Sequence, residues 1–422
     1  MSPARAWFLL AALMLAYMFA FVDRVMLGLL VGPISRDLGI SDTEFSLLAG
    51  FAFALLYTLL GLPIGIIIDR QRRLPVVVVG SLVWTLATAA CGLAASFGQL
   101  FIGRMAVGIG EATLSPASAS LLADAFAPSR RGLAMSLYAC GITIGGGLAL
   151  VGGGFLVEAA EAAGPTVLPI IGALAGWQLA FIVTAAAGLI VPILLAFAHE
   201  PDRPQSASVS PPALPWLAKN WRTIVPVFAG YSLMVIVSYA LVLWVPAALS
   251  RIHGLAPSDI GLVVGLSLIG PGTLGMICGG LLSDKLVRAG RSDGPIIVSL
   301  ASMVLQLPLF ASAMLVTHTP SAIALLAAAT FAISMIGGLQ IATVQALTPP
   351  PLHGRITALY LLVANVVGLG IGPTLIAATS DTLGGPQQIG RALALVGSGS
   401  LLAAVTLTAS ALRRNHHSRA AH

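Results

Sequence analysis

Gly65-Ile-Ile-Ile-Asp69-Arg70-Gln-Arg-Arg73 reads G-x-x-x-D-[RK]-x-x-R, and Gly280-Leu-Leu-Ser-Asp284-Lys285-Leu-Val-Arg288 reads the same. The copies lie 215 residues apart in a chain of 422. Each follows an apolar segment long enough to cross a bilayer, which takes roughly 20 residues. A second pair extends the repeat. Pro128-x-x-x-Gly132-x-x-x-x-Leu137-Tyr138 recurs as Pro350-x-x-x-Gly354-x-x-x-x-Leu359-Tyr360, offset by 222. A membrane bundle that occurs twice, with matching charged loops, is the ground plan of a secondary transporter.

Composition agrees with lipid as the solvent. Hydrophobic residues make up 58% and charged residues 9%, where a soluble domain carries roughly a quarter charged. Mean hydropathy is +0.98. The 46 Gly and 26 Pro suit helices that pack closely and bend. Cys91, Cys140 and Cys278 sit inside apolar segments without metal-ligand spacing, so they read as small core residues. The net charge of +6 raises the question of nucleic acid. The basic residues fall in short loops between apolar segments rather than on one soluble face, which excludes that partner. The first apolar run continues past Asp23-Arg24 into more apolar sequence, so it reads as a retained helix and not a signal peptide.

Twelve spans are expected, at about 7–32, 44–68, 74–96, 98–125, 131–157, 177–198, 222–250, 257–283, 294–316, 320–347, 354–380 and 388–412. The polar linker His199-Glu-Pro-Asp-Arg-Pro-Gln-Ser-Ala-Ser-Val-Ser-Pro-Pro parts them into two sets of six. The predicted organisation is a bundle over 1–198, a linker over 199–221 and a second bundle over 222–422. The stretch from Glu158 to Gly176 is expected as an extracytoplasmic loop or short surface helix. Of the 21 basic residues, 16 fall on one side, among them Arg70, Arg72, Arg73, Arg130, Arg131, Lys285 and Arg288. By the positive-inside rule both termini are cytoplasmic.

On these residues the whole chain resembles the major facilitator superfamily, whose signature loop between helices two and three looks like Asp69-Arg70-Gln-Arg-Arg73. A narrower likeness is to its spinster-like branch. That likeness rests on Val22-Asp23-Arg24, Ile40-Ser-Asp-Thr-Glu44, Gly103-Arg104-Met-Ala-Val-Gly-Ile-Gly-Glu111-Ala, Arg130-Arg131-Gly132 and Gly368-Leu-Gly-Ile-Gly-Pro373. The resemblance implies an all-helical membrane fold of twelve helices in two pseudo-symmetric bundles. A monomer is expected because the two halves already form one cavity, and the expected setting is a bacterial inner membrane. One departure is Gly141-Ile-Thr-Ile-Gly145-Gly-Gly in span five, which lacks the Gly-Pro step of many drug antiporters. That weakens a multidrug-efflux reading.

Ionisable residues inside spans are costly and normally face a cavity. Four stand well inside: Asp23 and Arg24 in span one, Arg104 and Glu111 in span four. The second half has no charged counterpart. Along the helix axis Asp23 lies about 24 Å from the start near Trp7, and Arg104 about 9 Å from the opposite start near Gly98. Across roughly 30 Å of hydrocarbon the two reach similar depth. Arg104 and Glu111, seven apart, share a face with Gly108, Ser115 and Ser118. The expected device is a proton switch in which Asp23 and Glu111 compete for Arg104. Arg24, Arg104, Tyr57, Ser115 and Ser118 are the candidate substrate contacts. Arg24 lies about 100° around the helix from Asp23, so both cannot face span four squarely.

Gly65, Asp69, Arg70, Arg73, Arg131 and Asp284 lie at the loop ends and are expected to form a cytoplasmic gate. The carboxylates there can cap a helix N-terminus or pair with a loop Arg. Gly145-Gly-Gly and Gly152-Gly-Gly lie inside a span and read as packing surfaces, not phosphate loops. No Walker string, zinc spacing or nucleophile–base set occurs, so neither cofactor nor enzymatic activity is expected. The function expected is proton-coupled transport of an amphipathic solute, with a lysolipid or sphingoid-type lipid implied by the spinster-like resemblance. A carrier of small organic anions or drugs is the alternative. A receptor without flux is a third, disfavoured by short loops and no soluble signalling domain.

Overall fold

Lipid leaves the backbone no partner but itself, so the long apolar runs fold as helices. A computed structural model of the chain describes residues 1–164, 166–168, 172–202, 213–291 and 293–420. Span one is Pro3–Leu38, and span two runs through Asp42–Ser46, a π-helical turn at Leu47–Ala52, and Phe53–Arg70. Span three is Arg73–Gly92. Span four comes in two pieces, Phe97–Glu111 and Leu114–Ala125. Span five is Pro128–Ala163, and span six is Gly176–Gly188 with Ile190–Ala196. Span seven is Ala213–His253, and span eight combines Pro257–Ser267, a π turn at Leu268–Gly272, and Thr273–Arg288. Span nine is Gly294–Leu315, and span ten is again in two pieces, Thr319–Ser334 and Leu339–Ala346. Span eleven joins His353–Asn365, a π turn at Val366–Ile371, and Gly372–Thr382; span twelve is Ile389–Ala420.

Eleven of these helices are long and apolar enough to cross a membrane. The twelfth, span four, is interrupted after Glu111 and carries Arg104 and Glu111. Helix ends follow local chemistry. Ser41 and Glu44 form a capping box, each side chain accepting from the other's backbone N–H. Spans one and seven both close on a left-handed glycine, Gly39 (φ 64°) and Gly254 (φ 65°), again 215 residues apart.

The chain forms two compact units, one of Met1–Ser206 with Leu255–Gly265, the other of Ala207–Gly254 with Leu266–His422. In the first unit, span one packs along span five, and span four lies against spans two and three. The start of span eight joins this unit because it sits directly on span five. A Cβ at Gly265 would come within 2.6 Å of the Gly147 carbonyl. In the second unit, span twelve packs along spans seven and nine, and span seven also meets span eleven.

Three boundaries differ from the sequence expectation. Span five continues to Ala163 and gives way to a two-stranded antiparallel hairpin. Thr166–Leu168 (β1) pairs with Gly172–Leu174 (β2), Thr166 opposite Leu174. Thr-Val-Leu favours extended backbone, and two short strands can satisfy each other where a loop would not. Span seven starts at Ala213, ahead of the expected 222, because Trp-Leu-Ala-Lys-Asn-Trp after Pro215 is a good helix former. The linker begins packed, with Pro201 buried; 203–212 lie outside the described residues.

Candidate functional site

The first unit holds a buried charge cluster built by spans one, two, three and four. Asp23 is 3% exposed, Glu111 1% and Arg104 0%. Asp23 and Arg24 are neighbours on one helix, so their side chains diverge by about 100°. Asp23 turns to span three, where the Thr88 hydroxyl donates to its Oδ2 at 2.5 Å and to the Trp84 carbonyl. Arg24 turns to span four, where its Nε donates to Glu111 Oε2 at 3.0 Å and a second nitrogen closes the ion pair. The direct partner of Glu111 is therefore Arg24 and not Arg104. The reason is axial: seven residues separate Arg104 from Glu111, about 10 Å of rise, so one guanidinium does not serve both ends.

Arg104 is left without a hydrogen bond at Nε or at either terminal nitrogen. A cation in that position is expensive, several kcal/mol before compensation. Two features offset it. The negative charge of Asp23 acts on it at longer range. Its guanidinium also lies 5.6 Å from the centre of the Phe53 ring, while Arg24 lies 4.4 Å from the same centre. Phe53 is fully buried within reach of both cations, and its ring quadrupole favours both. It is the first residue after the π turn of span two, a wound-out turn of a kind that recurs at functional sites. Span four comes this close because Gly108 has no Cβ: one would lie 2.6 Å from the Phe53 carbonyl oxygen.

Of the other expected substrate contacts, Tyr57 stacks on Phe53 at 5.2 Å and lies 5.2 Å from the Arg24 guanidinium. Ser118 is buried with its hydroxyl unbonded, and Ser115 is half-buried. Both stand beside the Tyr138 hydroxyl, whose ring stacks on Tyr17 at 4.6 Å. Oδ1 of Asp23 and Oε1 of Glu111 also lack partners. The cluster thus combines two acids and two bases, formally neutral, with open valences on three of the four. Phe53 and Thr88 belong to it and were not singled out from sequence. An aromatic in an apolar helix and a threonine in span three carry no distinguishing signal.

The gate residues divide. Arg73, 1% exposed, is the centre of a network. It donates to Glu200 Oε1 (3.2 Å), to the Ser120 hydroxyl (2.9 Å), to the Pro201 carbonyl (3.0 Å) and to Asp124. Glu200 also accepts the backbone N–H of Arg73 at 2.8 Å and of Leu74 at 3.4 Å. It thereby caps span three, which has no side-chain cap of its own. Burial pushes the Glu200 carboxyl up, but these hydrogen bonds and the Arg73 charge outweigh it and hold it below the usual range. Arg72 pairs with Glu200 from outside at 3.5 Å. Arg131 donates to the Phe126 carbonyl at 3.1 Å. Arg70 is exposed. Asp284 is exposed and forms no ion pair among the described residues. A Cβ at Gly65 would meet nothing within 4 Å, so no close approach requires glycine there. The Asp69 side chain lies outside the described residues.

The second unit carries hydrogen-bonding groups without formal charge. Tyr231 and Thr343 share a hydrogen bond of 2.9 Å, the Tyr360 hydroxyl donates to Gln340 Oε1, and the Tyr239 hydroxyl donates to Asn365 Oδ1 at 3.4 Å. Among the described residues no group of His, Cys, Asp and Glu is placed to hold a metal ion.

The family model of the Major Facilitator Superfamily matches residues 13–373. An MFS-type efflux pump of Mycolicibacterium smegmatis is 28% identical over 407 residues, covering 94% of this chain and 90% of that protein. A hexuronate transporter of Bacillus subtilis is 26% identical, covering 88% and 87%. Spinster proteins are among the further relatives. The crystal structure of a bacterial homologue of the human lysosomal transporter Spinster, inward-facing and unoccupied, superposes with a TM-score of 0.78 at 24% identity, over 98% of this chain and 96% of that one.

Proposed function

The chain belongs to the major facilitator superfamily, and from that premise we propose that it is a proton-coupled secondary transporter working by alternating access. It is a multi-pass membrane protein and a transporter, not an enzyme. Our reading of its cargo is an amphipathic lysolipid or sphingoid-like solute, and of its setting a bacterial inner membrane with both termini cytoplasmic.

The observation that carries the coupling is the fully buried Arg104 with no hydrogen-bond partner, beside acids that each keep one oxygen open. A buried cation without a partner is poised to take one. Protonation of Glu111 weakens its hold on Arg24. Protonation of Asp23 removes the negative charge that offsets Arg104. Either step leaves a guanidinium for an anionic head group, and loss of the proton takes it back. Arg24, Arg104, Tyr57, Ser115 and Ser118 are the contacts we assign to the solute on this side. Arg73, with Glu200 and Asp124, is the part of the gate we assign to holding the basic loop closed. Asp69, Arg70, Arg131, Asp284 and Gly65 enter it through their place in the repeat.

The lipid reading draws on the spinster relatives. The alternative, a small organic anion, draws on the hexuronate relative and on the same two guanidinium groups. Proteoliposome uptake separates them. Labelled lysophosphatidylglycerol and labelled glucuronate are each offered with and without an imposed pH gradient. Gradient-driven uptake of the lysolipid alone supports the leading cargo, and of glucuronate alone the second. Uptake of either that ignores the gradient removes the proton from the account.

A further inference from the structure

Where spans two, three and four of the first unit meet, a groove of about 570 Å³ runs along their outer surface. Two glycines make it. A Cβ on Gly80 or on Gly110 would come within 2.8 Å of the other's carbonyl oxygen, so spans three and four touch backbone to backbone. The contact leaves a furrow floored by Gly110 and Thr113. Ile64 and Ile67 of span two form one wall, and Val79 and Val83 of span three the other. The Thr113 hydroxyl is already donated to the Gly110 carbonyl at 2.8 Å. Ile67, Val79 and Val83 are exposed, and on helices of bilayer length such side chains face lipid. Walls of this kind suit a hydrocarbon chain.

The end of the groove at the basic loop has different chemistry. Gln71 and Arg72 line it, and Arg72 is the one charge among the lining residues. Its side chain is 79% exposed and lies 3.5 Å from Glu200. That carboxylate already accepts the side chain and backbone N–H of Arg73 and the N–H of Leu74. An exposed ion pair holds weakly, so the Arg72 guanidinium can turn to another anion at small cost. The length of the groove says which anion. From Arg73 to Val83 span three rises about 15 Å, half of a hydrocarbon core of roughly 30 Å. The groove therefore has the depth of one leaflet, with its cation at the level of the headgroups.

We propose that this groove binds an anionic phospholipid of the leaflet on the basic-loop side. One acyl chain lies between spans two and three, and the phosphate sits on Arg72. A free phosphate would have a single exposed arginine to hold it, whereas a lipid adds the burial of its chain. The site lies outside the buried charge cluster, and the proposal does not depend on which solute is carried.

The test reads the lipid beside the groove. Ile66 is exposed next to the groove and outside its lining. Ile66→Cys is labelled with bimane in a chain with Cys91, Cys140 and Cys278 changed to Ala. In bilayers the bimane is quenched by brominated phosphatidylglycerol in unbrominated phosphatidylcholine, and by the reverse mixture. The ratio of binding constants is expected to favour phosphatidylglycerol about fivefold, the size of one cation on an anionic headgroup. A bimane at Ile102→Cys, exposed in span four, is expected to give a ratio near one. Arg72→Gln brings the Ile66→Cys ratio to near one, and so does Val79→Trp, whose indole fills the groove. Glu200→Gln leaves the ratio at the wild-type value or above it, because Arg72 is released. A wild-type ratio near one, or a ratio that survives Arg72→Gln or Val79→Trp, overturns the site. A ratio that falls in Glu200→Gln also overturns it, because the preference then belongs to the network around Glu200. Glycerol 3-phosphate added in water is expected to change nothing; if it abolishes the preference, the site takes free phosphate and the lipid assignment falls. Monodisperse gel filtration accompanies every variant.

Discussion

Replacing Arg73 by methionine keeps most of the stem volume and removes the guanidinium. Five side-chain donor contacts go with it, to Glu200, to the hydroxyl and carbonyl of Ser120, to Asp124 and to the Pro201 carbonyl. The stranded acids cost more than the lost contacts. Glu200 and Asp124, 11% and 17% exposed at the side chain, stay as two carboxylates facing an apolar stem. Breaking a buried pair by removing one partner costs about 3–5 kcal/mol. Residual solvent at both acids places this case at about 3 kcal/mol. At about 2–4 °C per kcal/mol for a unit of this size, the melting temperature in detergent falls by about 6–12 °C. The backbone N–H bonds to Glu200 survive, so span three keeps its cap. Adding Asp124→Asn to Arg73→Met removes one stranded charge and restores part of the loss. A cycle of these variants reads the coupling directly. A melting temperature within about 2 °C of wild type in Arg73→Met, or a double variant that is no better than the single, refutes the view that Arg73 holds this end of the first unit together.

The same geometry sets other outcomes. Glu200→Gln lowers the melting temperature at neutral pH, and the gap from wild type closes on acidification. The folded-state value of Glu200 lies below its ordinary 4.5, so its contribution is complete above 4.5 and is lost as pH falls through the lowered value; melting curves against pH check this. Gly65→Ala leaves folding unchanged, whereas Gly108→Leu drives a side chain against the Phe53 carbonyl and collapses the monodisperse peak in gel filtration. Asp23→Asn combined with Arg104→Met takes two opposite charges from the interior together. It changes the melting temperature by no more than about 3 °C, because the pair's attraction and its desolvation cost largely cancel, yet it abolishes gradient-driven uptake.

The helical membrane fold was legible because period, charge and repeat agree: apolar runs of bilayer length, basic loops on one side, and Asp69 and Asp284 at the same offset as Gly39 and Gly254. The members of the charge cluster were also legible, since Asp23, Arg24, Arg104 and Glu111 are conspicuous in apolar sequence. Their pairing was not. Whether Arg24 or Arg104 meets Glu111 depends on how span one is rotated against span four, and a rotation of about 100° exchanges the neighbours. Phe53 comes within reach of both cations next to a π turn that no spacing announces. Glu200 was hidden for a different reason. It begins a Pro- and Ser-rich stretch that reads as unstructured, yet two N–H groups at the start of span three and Arg73 bind it. Tyr360 was in view only as part of the repeat, and its bond to Gln340 depends on how spans ten and eleven pack, which no spacing announces.

The central claim is that a proton on the buried acids and an anion at the buried cations are bound together. One proteoliposome experiment addresses it, with wild type and Glu111→Gln assayed side by side in two modes. Solute exchange is followed without a pH gradient, and accumulation is followed with one. The neutral amide imitates a permanently protonated Glu111, so exchange is predicted to continue within about threefold of wild type. Accumulation driven by the gradient is predicted to disappear. Full accumulation by Glu111→Gln would contradict the account and remove Glu111 from the coupling.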